Sequence, residues 1–184
     1  HKNVQIIYRN YKKNADISTL ILLNKYCKKN NRKLFISNNI KLALKYKLDG
    51  IYIPSFNKKI NYLKFSLPRK FLIIGSAHNN YEILVKKKQG CNIIFLSPIF
   101  KINKTNIYLD TVRFNLLTIN KKAKFIALGG INNNNLKKLL YRFIPYISPK
   151  LGQTPKSSVE VLFFGTLNAA FACDFKGKSV AIVP

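Results

Sequence analysis

Residues 124–140 read KFIALGGINNNNLKKLL, and the adjacent glycines Gly129 and Gly130 sit where chemistry could be done. A strand-length apolar run ends on them. Behind them the spacing of Leu136, Leu139 and Leu140 predicts a helix that an asparagine can cap. In a strand, turn, helix order, glycines let the backbone approach a ligand, and the first helical N–H groups are unpaired donors at a positive dipole end. That arrangement suits a phosphate, and a tight turn that binds nothing accounts for the same residues. Other reactive groups are scarce. The chain has 6 acidic residues in 184, and Cys27, Cys91 and Cys173 are far apart with no metal-ligand spacing, so they read as buried thiols.

The elements that must position the glycine pair follow from composition and periodicity. A chain of 184 residues, 47% hydrophobic, is long enough for one globular domain with a sizeable core. No apolar run reaches the roughly 18 to 20 residues of a spanning helix, and no signal-peptide pattern opens the chain, so the expected location is cytoplasmic, with no membrane partner. The net charge of +27 raises nucleic acid as a partner, but lysine outnumbers arginine 28 to 5, whereas readers of bases and phosphates rely on bidentate arginine. Lys, Asn, Ile, Tyr and Phe, all abundant here, share AT-rich codons. The lysines of VKKKQG (85–90) are expected on a solvated helix face. No specific nucleic-acid partner is expected, only weak adhesion to polyanions.

Along the chain, strands are predicted at 4–10, 33–37, 50–54, 70–77, 91–100 and 124–131. Helices are predicted at 16–31 (Leu20, Leu23 and Cys27 on one face), 39–47, 79–89 and 110–120, with about one turn of helix between 54 and 70. Short apolar strands alternating with helices of about ten residues imply parallel strands buried on both faces, an α/β protein.

Three segments taken in order carry a family resemblance. IIGSAHNNYEILVKKKQGCNIIFLSPIF followed by FIALGGI resembles the thiamine-phosphate synthase and thiazole tautomerase superfamily. Ser76-Ala77-His78 stands for its Ser-x-His, Ser97-Pro98-Ile99-Phe100 for its Gly-Pro-Ile-Phe, and Gly129-Gly130-Ile131 for its phosphate-cradling Gly-Gly-Ile. LFISNNIKLALKYKLDGIYIP is similar to the segment that carries an Asn-Asp pair. The resemblance spans roughly 4–140 and implies a (β/α)8 TIM-type barrel with ligands at the C-terminal strand ends. The six predicted strands would be its second to seventh. With no methionine and His1 directly before a strand, the first strand is expected to be missing from the N-terminus.

The family reaction joins a hydroxymethylpyrimidine pyrophosphate to a thiazole phosphate, releasing pyrophosphate and making thiamine phosphate in thiamine biosynthesis. The resemblance therefore implies a transferase with small phosphorylated substrates and Mg²⁺ as cofactor. It assigns catalytic roles to Arg9, on the pyrophosphate, and Lys104. Substrate-binding positions are Ser37, Ser76, His78, Pro98, Lys101, Thr105, Gly129 and Gly130. The metal positions are Asn38 and Asn57, where the family has aspartates. Tyr11 replaces a lysine and Ile7 a glutamine, and none of Asp16, Asp49, Glu82, Asp110, Glu160 and Asp174 falls at a matching site. Asparagine offers a hard dication only a neutral oxygen. Pro98 places the chain with the synthases, since tautomerases carry a catalytic histidine there. His78 also reads as a structural histidine at a strand end, and KINKTN (101–106) as an exposed basic loop. A barrel of the same superfamily that binds phosphate ligands without catalysis is the alternative, and a basic nucleic-acid-associated protein a further one.

The expected organisation is a barrel over 1–142 and a divergent tail over 143–184. In residues 145–184 lie one of the 22 asparagines and four of the 9 alanines. An insertion, a separate small module and a shifted reading frame each account for that change, and GKSVAIVP (177–184) is similar to the family's last strand. Oligomeric state is not encoded in any feature above.

Overall fold

Six apolar runs become parallel strands: β1 (Val4–Tyr8), β2 (Leu34–Ser37), β3 (Gly50–Ile53), β4 (Leu72–Ala77), β5 (Ile93–Leu96) and β6 (Lys124–Ala127). The structure, a computed structural model, describes residues 4–10, 16–102, 106–119, 123–132 and 134–135 and three strand segments, 159–161, 170–173 and 179–183. Helices α1 (Ile17–Lys29), α2 (Ile40–Lys45), α3 (Asn80–Lys88) and α4 (Asp110–Thr118) lie between the strands, and a 3-10 turn at Asn61–Lys64 sits in the β3–β4 connection. The later strands are β7 (Val159–Val161), β8 (Ala170–Cys173) and β9 (Ser179–Val183). Among the described residues the sheet order is β7-β6-β5-β4-β3-β2-β1-β9-β8. The result is an α/β fold, an incomplete TIM-type barrel.

Side-chain alternation sorts the strands into two layers. Ile7, Phe35, Tyr52, Ile74, Phe95 and Ile126, one from each of β1 to β6, form one buried cluster. Their neighbours, among them Ile6, Ile36, Ile51, Ile53, Ile73, Ile94, Leu96 and Phe125, pack with Leu20, Cys27, Ala43, Ile83 and Phe114 of the helices in the other. Within the first layer the rings of Tyr52 and Phe95 lie 6.1 Å apart, tilted by 36°. Burial pushes the Cys27 thiol up to about 11 and the Cys91 thiol up to about 12, as expected for inert core thiols.

Asparagine starts several of the helices. Asn39 accepts from Leu42 N–H at 3.0 Å and Asn79 from Glu82 N–H at 2.9 Å, while Asp16 accepts from Ser18 N–H at 3.0 Å. Each cap satisfies donors that the first helical turn leaves unpaired. At α4 the same work falls to Asp110, whose Oδ1 accepts from Val112 N–H and Arg113 N–H.

Three expectations need correction. The strands expected at 4–10, 91–100 and 124–131 stop at Tyr8, Leu96 and Ala127. Beyond Leu96 and Ala127 the apolar runs continue, but the backbone turns aside: Ile99 N–H donates to Leu128 O at 2.8 Å and Phe100 N–H to Gly129 O at 3.1 Å. The lysines of 85–90 do not all lie on a solvated face, because Lys86 is fully buried. Within 177–184, β9 pairs in parallel with β1, and the place beside β6 goes to β7. Leu136, Leu139 and Leu140 lie outside the described residues.

The inner layer has little room to relax, since each strand contributes one bulky side chain. Phe95→Ala should lower the unfolding free energy by about 3 to 5 kcal/mol, read from the shift of the urea midpoint at unchanged m-value.

Candidate functional site

At the C-terminal strand ends the alternation that fills the interior continues into polar residues. Ser37 follows Phe35 on one face of β2, Ser76 follows Ile74 on β4, and Arg9 lies two residues beyond Ile7 of β1. Ser76 is buried and accepts a hydrogen bond from Tyr52 Oη at 2.9 Å. Ser37 Oγ is buried with no partner among the described residues. A buried hydroxyl of that kind is uncommon and marks a place where a ligand or water would be held.

His78 ties three strand ends together. Its Nδ1 lies 2.5 Å from the Ser97 carbonyl oxygen, and its Nε2 3.1 Å from Ser55 Oγ. A carbonyl only accepts, so Nδ1 carries the proton of the neutral ring and Nε2 accepts from the Ser55 hydroxyl. The His78 N–H donates to Glu82 Oε2 at 2.7 Å, and Glu82 lies in the first turn of α3 behind the Asn79 cap. The histidine joins the ends of β3, β4 and β5.

Asn38 and Asn57, given by the resemblance as the metal positions, meet. Asn57 Nδ2 donates to Asn38 Oδ1 at 2.8 Å and to Tyr62 Oη at 2.7 Å, and Asn57 Oδ1 accepts from Lys59 N–H at 3.0 Å. Burial pushes the Tyr62 phenol up, with the Asn57 hydrogen bond opposing. Asn38 has φ +60°, a left-handed conformation that asparagine tolerates better than most residues. The pair borders an open cleft of about 640 Å³ that Lys41, Lys58, Lys59 and Phe56 also line. What faces Asn38 is the amide NH2 of Asn57, and the charged side chains lining the cleft are lysines. Two neutral amides among lysines are a poor donor set for Mg²⁺, a hard cation that protein sites hold mainly through carboxylates.

The glycine pair packs against the loop that follows β5. With φ +90° at Gly129 and +73° at Gly130, a Cβ would be strained by backbone alone. It would also stand 2.9 Å from Pro98 Cα and Cβ at Gly129, and 2.5 Å from Phe100 O and 2.7 Å from Lys101 O at Gly130. Asn132 then caps the next helical turn, accepting from Asn134 N–H and Asn135 N–H, and donates its own N–H to Asn135 Oδ1 at 2.8 Å. The N–H groups of Gly130 and Ile131 have no partner among the described residues.

Sequence reasoning missed Tyr52, Ser55, Tyr62, Lys86 and Gln89. Lys86 Nζ donates to Pro54 O, Asn57 O and Gln89 Oε1, and burial pulls its ammonium down to about 8, against the pull of Cys91 and Glu82. Only the i, i+3 spacing of Lys86 and Gln89 hinted at a pair. Pro98 is half-buried and Lys101 exposed, while Lys104 and Thr105 lie outside the described residues.

Residues 2–147 match the family described as thiamine monophosphate synthase (TMP-TENI). The chain belongs to that family. Thiamine-phosphate synthase of Prochlorococcus marinus subsp. pastoris is 30% identical over 141 residues, covering 74% of this chain and 40% of that protein. The Helicobacter pylori thiamine-phosphate synthase is 31% identical over 121 residues, covering 62% and 55%. This member of the thiamine monophosphate synthase family thus spans about half or less of the length of these curated relatives. In fold it is similar to thiamine phosphate pyrophosphorylase from Pyrococcus furiosus, at TM-score 0.57 and 17% identity over 76% of this chain and 80% of that one. No helix among the described residues is long and apolar enough to cross a membrane.

The His78 geometry sets a spectroscopic expectation. At a pH where the ring is neutral, ¹⁵N resonances should show the Nδ1–H tautomer, and Ser55→Ala should shift Nε2 while leaving Nδ1 near its place. A dominant Nε2–H tautomer would contradict the assignment.

Proposed function

We propose that this chain works in thiamine biosynthesis as a thiamine-phosphate-synthase-type barrel, holding a hydroxymethylpyrimidine pyrophosphate and a thiazole phosphate at its C-terminal strand ends. One observation carries the reading: residues of the three family motifs come together there, with His78 hydrogen-bonded to Ser97 and Gly129 packed on Pro98. In this reading the thiazole phosphate lies on the N–H groups of Gly130 and Ile131. Ser76, His78 and the orphaned hydroxyl of Ser37 line the pyrimidine side. Arg9 faces the pyrophosphate, and Lys101, Lys104 and Thr105 belong to the phosphate-binding loop. As the C–O bond to pyrophosphate breaks, negative charge grows on the leaving group, and cations held near it lower the barrier.

A second reading, phosphate-ligand binding without turnover, is favoured by the Asn57–Asn38 hydrogen bond. Where the family has carboxylates for a metal, this chain has two amides bonded to each other. Each 1.4 kcal/mol of transition-state stabilisation missing from the leaving group slows turnover about tenfold.

Two measurements on the full chain separate the readings. Thiazole phosphate should shift the amide resonances of Gly130 and Ile131 in either case; if those resonances stay fixed at saturation, the glycine cradle is misassigned. Mg²⁺-dependent formation of thiamine phosphate should be near background in the parent chain and rise at least about tenfold in the double variant Asn38→Asp, Asn57→Asp. Robust Mg²⁺-dependent turnover by the parent would show that the metal site lies elsewhere. No gain from the double variant would favour the binding protein.

A further inference from the structure

Helix α3 buries an ammonium, Lys86, whose three hydrogen bonds all go to neutral oxygens. The Lys86 stem passes over Gly75 of β4, where an added Cβ would meet Cys91 Sγ at 2.8 Å and Lys86 Cδ at 2.9 Å. Its ammonium donates to Pro54 O at 2.7 Å, Asn57 O at 2.8 Å and Gln89 Oε1 at 3.0 Å, which uses all the donors an ammonium has. One turn along, Gln89 donates from Nε2 to Asn57 O at 2.9 Å and Lys59 O at 2.8 Å. The carbonyls of 54, 57 and 59 therefore converge on one lysine–glutamine pair at the base of the loop.

An apolar pair would fill this space without desolvating a charge, so what the ammonium adds is direction. Residues 54–60 form neither helix nor strand; bonds within the loop include Asn57 N–H to Pro54 O at 3.1 Å and Lys59 N–H to Asn57 Oδ1 at 3.0 Å. The same short loop presents Ser55 to His78 Nε2 and Asn57 to Asn38 and Tyr62. It also contributes Phe56, Lys58 and Lys59 to the cleft.

We propose that Lys86 and Gln89 are the positioning residues of the ligand site, fixing the 54–59 backbone so that Ser55 reaches His78 and Asn57 reaches Asn38. The ligand-binding consequence rests on the function proposed above, and the geometric consequence does not. Both are read on the full chain with Lys86→Met, which keeps the stem and removes the three donors. Ile83→Val, in the core on the same helix, serves as the control for a general loss of packing.

Lys86→Met should move the His78 Nε2 resonance to its position in Ser55→Ala and weaken binding of inorganic pyrophosphate by about tenfold or more. Ile83→Val should change neither. A folded Lys86→Met protein with the parent's His78 resonance and pyrophosphate affinity would overturn the proposal and leave Lys86 a packing residue. Should Lys86→Met not fold, Gln89→Leu carries the same test, since it removes the bonds to Asn57 O and Lys59 O and should shift His78 Nε2 the same way; an unmoved resonance there would overturn the proposal too. If the parent chain does not bind pyrophosphate, the functional reading fails on its own and the His78 resonance alone decides the positioning role.

Discussion

A two-residue alternation shared by six parallel strands governs everything else in this molecule. Because successive side chains point to opposite faces, Ile7, Phe35, Tyr52, Ile74, Phe95 and Ile126 fill one layer while their neighbours seat the helices. The same alternation, run one step past the last apolar residue, presents Ser37 and Ser76 at the ends of their strands. Slipping any strand by one residue would exchange core and site together. Fold and site thus obey one register, and neither can shift without the other.

That shared register explains what could be read in advance. Six apolar runs separated by helical periodicity were enough for the strands and for a parallel sheet, and Leu20, Leu23 and Cys27 do line the buried side of α1. Strand ends were legible only approximately. Composition stays apolar through SPIF and ALGGI, but lateral hydrogen bonds from Ile99 and Phe100 turn the chain out of the sheet. The glycine pair was legible as a turn. Its tight packing on Pro98, Phe100 and Lys101 was not, because contact between two loops far apart in sequence leaves no periodic trace.

Charge misled in both directions. The lysines of 85–90 looked like a solvated stripe, yet one of them is the most enclosed cation among the described residues, held by backbone carbonyls that carry no sequence signature. Asparagine richness, which codon bias accounts for in bulk, acquires local work: Asn39 and Asn79 cap helices just beyond strands of the sheet, and Asn132 caps a helical turn after the glycine pair. At Asn38 and Asn57 the same residue type sits where the family resemblance calls for carboxylates, and there it changes the chemistry. Two aspartates that close would repel without a cation between them, whereas two amides complete each other.

Between those two side chains lies a hydrogen bond, at positions where the family resemblance implies a metal. Titration with Mn²⁺, a paramagnetic stand-in for Mg²⁺, tests it directly through the side-chain amide resonances of Asn38 and Asn57. With the amides bonded to each other, both should stay sharp through Mn²⁺ levels that broaden only exposed surface residues. Selective loss of these two resonances at low Mn²⁺ would instead place a cation between them.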